Sequence, residues 1–272
     1  MRVTQQMLHQ SSVRHMNQNL GRFDKINNQV SSGKLLHKPS DDPNGVSKAM
    51  NLKSAIAANG QYERNTNEAN LWLDETDQTI NSMVNVMQRV RELSVKAGNE
   101  TLTEPDRAAI AAEVVELTEQ MEQFSNAKVN GKYEMFGTDS RKFTIADGIE
   151  IKASVTADQL FGNATDGELF QTLNKLADDI RSGNEIPLAE VDKGMDRLLN
   201  TASEVGARQN RVESMANRIQ DSTLQLKTML SKVEDIDYAE AVIQLKTEES
   251  VYQASLAASA KIIQPSLMDF LR

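Results

Sequence analysis

From Val191 to Val233 the chain repeats an apolar position at alternating steps of four and three: Val191, Met195, Leu198, Ala202, Val205, Gln209, Val212, Ala216, Ile219, Thr223, Leu226, Leu230 and Val233. Only Gln209 and Thr223 in this series are polar. An α-helix places such a series on one narrow face, and a heptad stripe is buried by laying another helix along it. At 1.5 Å per residue the helix would be on the order of 65 Å long. Gly194 and Gly206 weaken it by about 1 kcal/mol each relative to alanine. The chain must therefore supply partner faces for a very long helix.

Shorter stripes offer them. Val13, Met16, Leu20, Phe23 and Val30 form one, interrupted at Asn27. Ile80, Met83, Met87, Val90 and Ala97 predict a helix over 66–97. Ile110, Val114, Leu117, Met121 and Phe124 predict a third, with Thr103 as N-cap and Asp106 three places on as a capping box. Val242, Leu245, Tyr252, Leu256 and Ile263 mark a last helix ending near Pro265, and a short helix is expected over 167–181. Methionine on these heptads reads mostly as core filler. One stretch differs: "RKFTIADGIEIKASV" alternates apolar and polar residues around Asp147 and Gly148, which predicts a small β-hairpin over 138–157.

Hydrophobic residues make up 39% of the chain and aromatics 4%, lean for a thick core and natural for helices that bury narrow stripes. The expected fold is mainly α. It is an elongated antiparallel helical rod, or coiled coil, in which the N- and C-terminal segments come together and a small β-hairpin forms the tip. Two lone terminal helices bury too little to offset their ordering cost, so the ends need neighbours.

Residues 31–45, "SSGKLLHKPSDDPNG", hold a Gly-Lys pair, but the phosphate-cradle spacing is missing: position 28 is Asn and position 35 is Leu. The stretch reads as a joint. Gly33 ends a helix, Pro39 blocks its resumption, and Asp42 or Ser40 caps a new one with Pro43 in its first turn. His9, His15 and His37 lack metal-ligand spacing, and "DETD" (74–77) and "EDID" (234–237) lack the calcium-loop pattern. There is no cysteine, and no catalytic motif is recognisable. No catalytic, cofactor-binding or metal residue is therefore assigned, and no enzyme is expected. The net charge of −9 argues against nucleic acid as a partner. Residues 1–40 are nevertheless basic, with Arg2, Arg14, Arg22, Lys25, Lys34 and Lys38 against Asp24. Neither a signal peptide nor a membrane-insertion segment is visible, and by these signals alone the chain reads as soluble and cytoplasmic.

"VSSGKLLHKPSDDPNGVSKA" near one end, and "VGARQNRVESM" followed by "SKVEDIDYAEAV" near the other, resemble the terminal signatures of the bacterial flagellin family. "QRVRELSVKAGNETLTEPDR" and "NAKVNGKYEMFG" extend the resemblance over most of the chain. "MRVTQ", "NGKYEMFGT" and "SLMDFLR" are more similar to the hook-filament junction members than to filament subunits, although Phe136, Gly137 and Thr138 depart from the junction pattern. The resemblance implies a flagellin-like division: 1–42 as N-terminal inner-tube helix, 43–135 as rod helices, 136–168 as the β-hairpin region, 169–230 as return rod helices, and 231–272 as C-terminal inner-tube helix.

It also implies a structural role joining hook to filament as a ring of like subunits beside a hook-associated protein and flagellin. A short flagellin is the alternative, and an intracellular coiled-coil adaptor a more distant one. Location would be extracellular, in the flagellum, after export without a cleaved signal peptide, with an export chaperone on the C-terminal helix. The expected assembly interface is Val13, Met16, Leu20, Phe23, Val30, Leu245, Tyr252, Leu256, Ile263, Phe270 and Leu271. Val205, Val212, Ile219, Leu226 and Leu230 are the expected rod core. "QRVREL" and "AAEVVEL" resemble the flagellin surface that the vertebrate innate receptor reads, which would place Arg89, Leu93 and Glu113 there, with ordinary rod-surface residues as the other reading.

Overall fold

The computed structural model describes residues 2–98, 102–129, 133–137, 141–162 and 167–263. Among them run seven helices and four strands: α1 (Arg2–Ser32), α2 (Pro43–Ala97), α3 (Glu104–Ser125), β1 (Lys128–Val129), β2 (Tyr133–Glu134), β3 (Lys142–Ala146), β4 (Ile149–Lys152), α4 (Ala157–Phe161), α5 (Glu168–Ser182), α6 (Leu188–Glu234) and α7 (Tyr238–Ile263). The fold is mainly α, as the heptad stripes require. The chain divides into two compact units, one of residues 1–57 and 224–272 and one of residues 58–223.

The second unit holds the core. Ile80, Met83, Met87 and Val90 of α2 are fully buried, together with Val114 and Met121 of α3, Leu173 and Leu176 of α5, and Val191, Leu198, Val205 and Val212 of α6. Here α2 and α6 run antiparallel in one constant register. Asn59 donates to Thr223 at 3.2 Å, Gln209 donates to Asp74 at 3.0 Å, and Arg91 pairs with Asp192 at 2.6 Å. Gln209 and Thr223, the two polar positions of the heptad stripe, are thus met by polar partners on α2. The backbone N–H of Thr103 donates to the Asp106 carboxylate at 3.3 Å, which caps α3 as its sequence predicts.

β3 and β4 form the expected hairpin, turning at Asp147 and Gly148. Phe143 faces Ile151 and Thr144 faces Glu150, with a register shift before Ala146 pairs with Ile149. Phe143, Ile145 and Ile151 are buried while Lys142, Thr144, Glu150 and Lys152 are exposed, so the alternation read from sequence is the alternation of burial. Two helices hold the hairpin. Asn65 of α2 donates to the Thr144 carbonyl at 2.7 Å, and Arg208 of α6 donates to the Ser154 carbonyl at 3.2 Å. The Arg141 guanidinium lies 5.0 Å from the centre of the Trp72 ring. The antiparallel β1/β2 pair and the single-turn α4 have no counterpart in the sequence expectation. Strands of two residues are too short to show a period.

The sequence pattern marks the second helix over 66–97, but α2 starts at Pro43 and runs for 55 residues. Its beginning is set by chemistry: Pro43 takes the first helical position, and the Asp42 carboxylate accepts the Asn44 N–H at 3.1 Å, which decides for Asp42 over Ser40 as the cap.

Candidate assembly site

In the first unit α1 and α7 pair antiparallel. The Ser12 and Ser259 hydroxyls are 2.8 Å apart, Arg22 meets Glu248 at 3.4 Å, and Phe23 stacks on Tyr252 with centroids 6.3 Å apart and planes 13° from parallel. Met16, Phe23, Val30, Leu245 and Tyr252 are half-buried along the seam, whereas Val13, Leu20 and Leu256 stand exposed. At the polar interruption, Ile26 occupies the seam and Asn27 faces solvent. The half-buried positions Ser12, Met16, Asn19, Phe23, Ile26 and Val30 keep the four-three spacing, so the seam runs beside Val13, Leu20 and Asn27 rather than through them. Near the far end of the pair lies an apolar cavity of about 250 Å³, lined by His9, Ser12, Val13, Met16, Leu256, Ser259 and Ala260. The side chain of Ile263, and all of Phe270 and Leu271, lie outside the described residues.

Large hydrophobic side chains are distributed unevenly between the units. Of the fifteen that stand exposed among the described residues, twelve belong to the first unit, including Met7, Met50, Leu224, Val242, Ile243 and Val251. Ile243 is 68% exposed. Ala49 is the single buried hydrophobic residue of that unit among the described residues, and all others lie in the second. The heptad stripe of α6 crosses this divide. Val205, Val212 and Ile219 are buried, but Leu226 and Leu230 lie past Thr223 in the first unit and are half-buried. The sequence period continues there without the surrounding core elements that bury its earlier turns.

The segments between helices are stitched to one another. Leu35 N–H donates to the Glu234 carbonyl at 2.7 Å and Ile236 N–H donates to the Gly33 carbonyl at 3.2 Å, an antiparallel bridge between Lys34 and Asp235. Gly33 reverses the chain after α1 with φ of +74°. Gln29 donates to the Leu35 carbonyl at 2.9 Å, and the His37 ring lies 2.8 Å from the Ser32 hydroxyl. Asp41 accepts from the Lys38 N–H at 3.1 Å and pairs with Lys25 at 3.2 Å; the hydrogen bond from Lys25 holds its carboxyl below the usual range. Asp237 caps α7 by accepting from Ala239 N–H at 2.9 Å. At the centre Glu234, only 6% exposed, accepts from Lys34 Nζ at 2.6 Å and Lys53 Nζ at 2.8 Å. Burial alone pushes its carboxyl up, but the two lysine hydrogen bonds outweigh it and hold it below the ordinary value. In sequence "EDID" shows only the lack of a calcium-loop pattern, which gives no sign of this residue's role. Its signal was faint: one acid at a helix end, with the answering lysines far away in sequence.

On the second unit Arg89 donates to Glu113 at 2.7 Å and to Glu92 at 3.2 Å, all exposed. Leu93, expected on the same surface, is corrected: it is 2% exposed and belongs to the core. A helix has one inward face, and Leu93 shares it with Val90 and Met87 rather than with Arg89. His9, His15 and His37 are exposed, and no group of His, Asp and Glu capable of holding a metal occurs among the described residues.

Residues 3–139 match the family model for the bacterial flagellin N-terminal helical region, and residues 188–271 match that for the bacterial flagellin C-terminal helical region. Flagellar hook-associated protein 3 of Escherichia coli (strain K12) is 25% identical, with 95% of this chain and 96% of that protein covered. A flagellin of Halalkalibacterium halodurans is 24% identical, with 92% of each covered. Among solved structures, the flagellar hook associated protein-3 of Legionella pneumophila is similar in fold, with a TM-score of 0.61 at 14% identity over 67% of this chain and 98% of that one.

Proposed function

Because this chain belongs to the bacterial flagellin family, we propose that it is the subunit that joins the flagellar hook to the filament. It is a structural component of the bacterial flagellum, and its relatives are structural flagellar proteins. The observation that carries the proposal is the uneven burial: a filled core in the second unit, and a terminal helix pair whose apolar side chains stand open. Apolar surface of that extent is stabilised by removal from water, at about 25 cal/mol per Å². Neighbouring copies of the same helix pair, together with an adjacent hook-associated protein and flagellin, supply the cover. The residues proposed for it are Val13, Met16, Leu20, Phe23, Val30, Leu245, Tyr252 and Leu256.

Before assembly the exposed Val242, Ile243, Val251 and Leu256 of α7 suit an export chaperone that shields them. The working location is outside the cell, reached through the flagellar export route. Arg89 and Glu113 stay proposed as part of the face met by an innate receptor for flagellin. No described helix is long and apolar enough to cross a membrane.

The assembly face is tested by replacing Leu20 and Phe23 with Asp. The second unit should keep its circular dichroism and cooperative melting while the protein no longer associates with its own copies or with hook ends. Loss of the whole fold would overturn the assignment. A second reading, a short filament subunit, is supported by the flagellin that covers the chain almost as fully as the hook-associated protein does. Gene deletion separates them. Loss of a junction subunit leaves hooks intact and sheds flagellin into the medium, whereas loss of a minor flagellin shortens filaments or reduces their number.

A further inference from the structure

Glu234 is the last residue of α6 and stands where three segments converge: the turn after α1, the start of α2, and the turn before α7. Both of its acceptor groups are engaged. Its backbone carbonyl takes the Leu35 N–H, and one carboxylate oxygen takes both the Lys34 and Lys53 ammonium groups. The two cations also lie at the C-terminal end of a 47-residue helix, where the aligned peptide dipoles favour positive charge.

A bridge of two backbone hydrogen bonds is too small to order two turns by itself. The carboxylate adds what the bridge lacks, because opening either turn leaves a largely buried anion without one of its cations. Lys34 belongs to one turn and Lys53 to α2, so the turn before α7 cannot depart without disturbing both. Tyr238 adds a packing contact: its hydroxyl lies 2.7 Å from where a Cβ on Gly33 would stand.

We propose that Glu234, Lys34 and Lys53 form a charge clasp that couples the α1–α2 turn to the α6–α7 turn, so that the two open and close as one element in the free subunit. This conformational device goes beyond the junction role and does not rest on it. If the chain forms a filament instead, the clasp is unchanged. Its consequence is that both terminal helices leave the joint in a preset relation, and the ordering of one turn brings the other with it.

The experiment is hydrogen exchange followed by NMR on the full-length monomer at neutral pH, read at the Leu35 and Ile236 amides. In the unaltered protein both amides should be protected, with protection factors, taken against each amide's unfolded-chain rate, that agree within a factor of about three. Glu234→Gln should speed both by tenfold or more, while amides of the second unit, such as those of Val205 and Val212, keep their rates. Lys53→Met, at a half-exposed position that leaves the carboxylate in place, should speed both by a smaller and equal factor. Unequal protection factors at the two amides in the unaltered protein, or unchanged rates in Glu234→Gln, would overturn the clasp. Should Glu234→Gln not fold, Lys53→Met decides: equal acceleration at both amides supports coupling, and acceleration at Leu35 alone or at neither overturns it.

Discussion

At Gly33 a Cβ would meet the Tyr238 hydroxyl at 2.7 Å, and the backbone sits in the left-handed region that glycine alone enters without cost. Gly33→Ala is expected to destabilise the joint by about 1–2 kcal/mol, measurable as faster exchange at Leu35 with the melting of the second unit unchanged. Glu234 gives a pH dependence whose sign follows from its lowered pKa. Its contribution is complete above the ordinary carboxylate range and is lost as pH falls through the lowered folded value. Protection of the joint should therefore be full at neutral pH, begin to fall as pH enters the range where an ordinary glutamate titrates, and be lost below the lowered folded value. In Glu234→Gln that acid step should vanish. Gly33 was legible as a helix stop because left-handed C-caps favour glycine. Glu234 was not, because an ion pair bridging some two hundred positions leaves no local pattern.

Elements were the most legible scale, since periodicity is a local property. The heptad stripe, the β-hairpin turn and the α3 cap each follow from residues a few places apart. Burial along an element depends on what surrounds it, and sequence spacing is blind to that. The two glycines of α6 illustrate the difference. A Cβ on Gly194 would stand 2.5 Å from Leu169 Cδ1 and 2.8 Å from Met87 Cε, both buried side chains. On Gly206 it would meet nothing within 4 Å. Gly194→Ala is expected to lower stability by about 1–2 kcal/mol through overpacking, while Gly206→Ala should raise it by about 0.5–1 kcal/mol through helix propensity. Urea denaturation of the two variants checks both signs at once. Leu226 and Leu230 fit the same stripe as Val205 and Val212, yet truncating either to alanine should cost the isolated protein less, because part of each side chain is already in water.

For the whole molecule, the two units should respond differently to a protease. Limited trypsin digestion of the monomer is expected to remove both terminal segments together and leave a resistant piece spanning about residues 58–223, identified by mass spectrometry. Loss of one end with retention of the other as a stable helix would contradict the pairing of α1 with α7. The sequence by itself determined the helical class, the place of the hairpin and the amphipathic character of both ends, since each is written in the spacing of neighbouring residues. Only the tertiary structure decided which apolar positions are covered and which stand open, that Leu93 faces inward, and that one buried glutamate holds two distant turns. Those outcomes depend on which surfaces long-range folding brings together, and no local period encodes that.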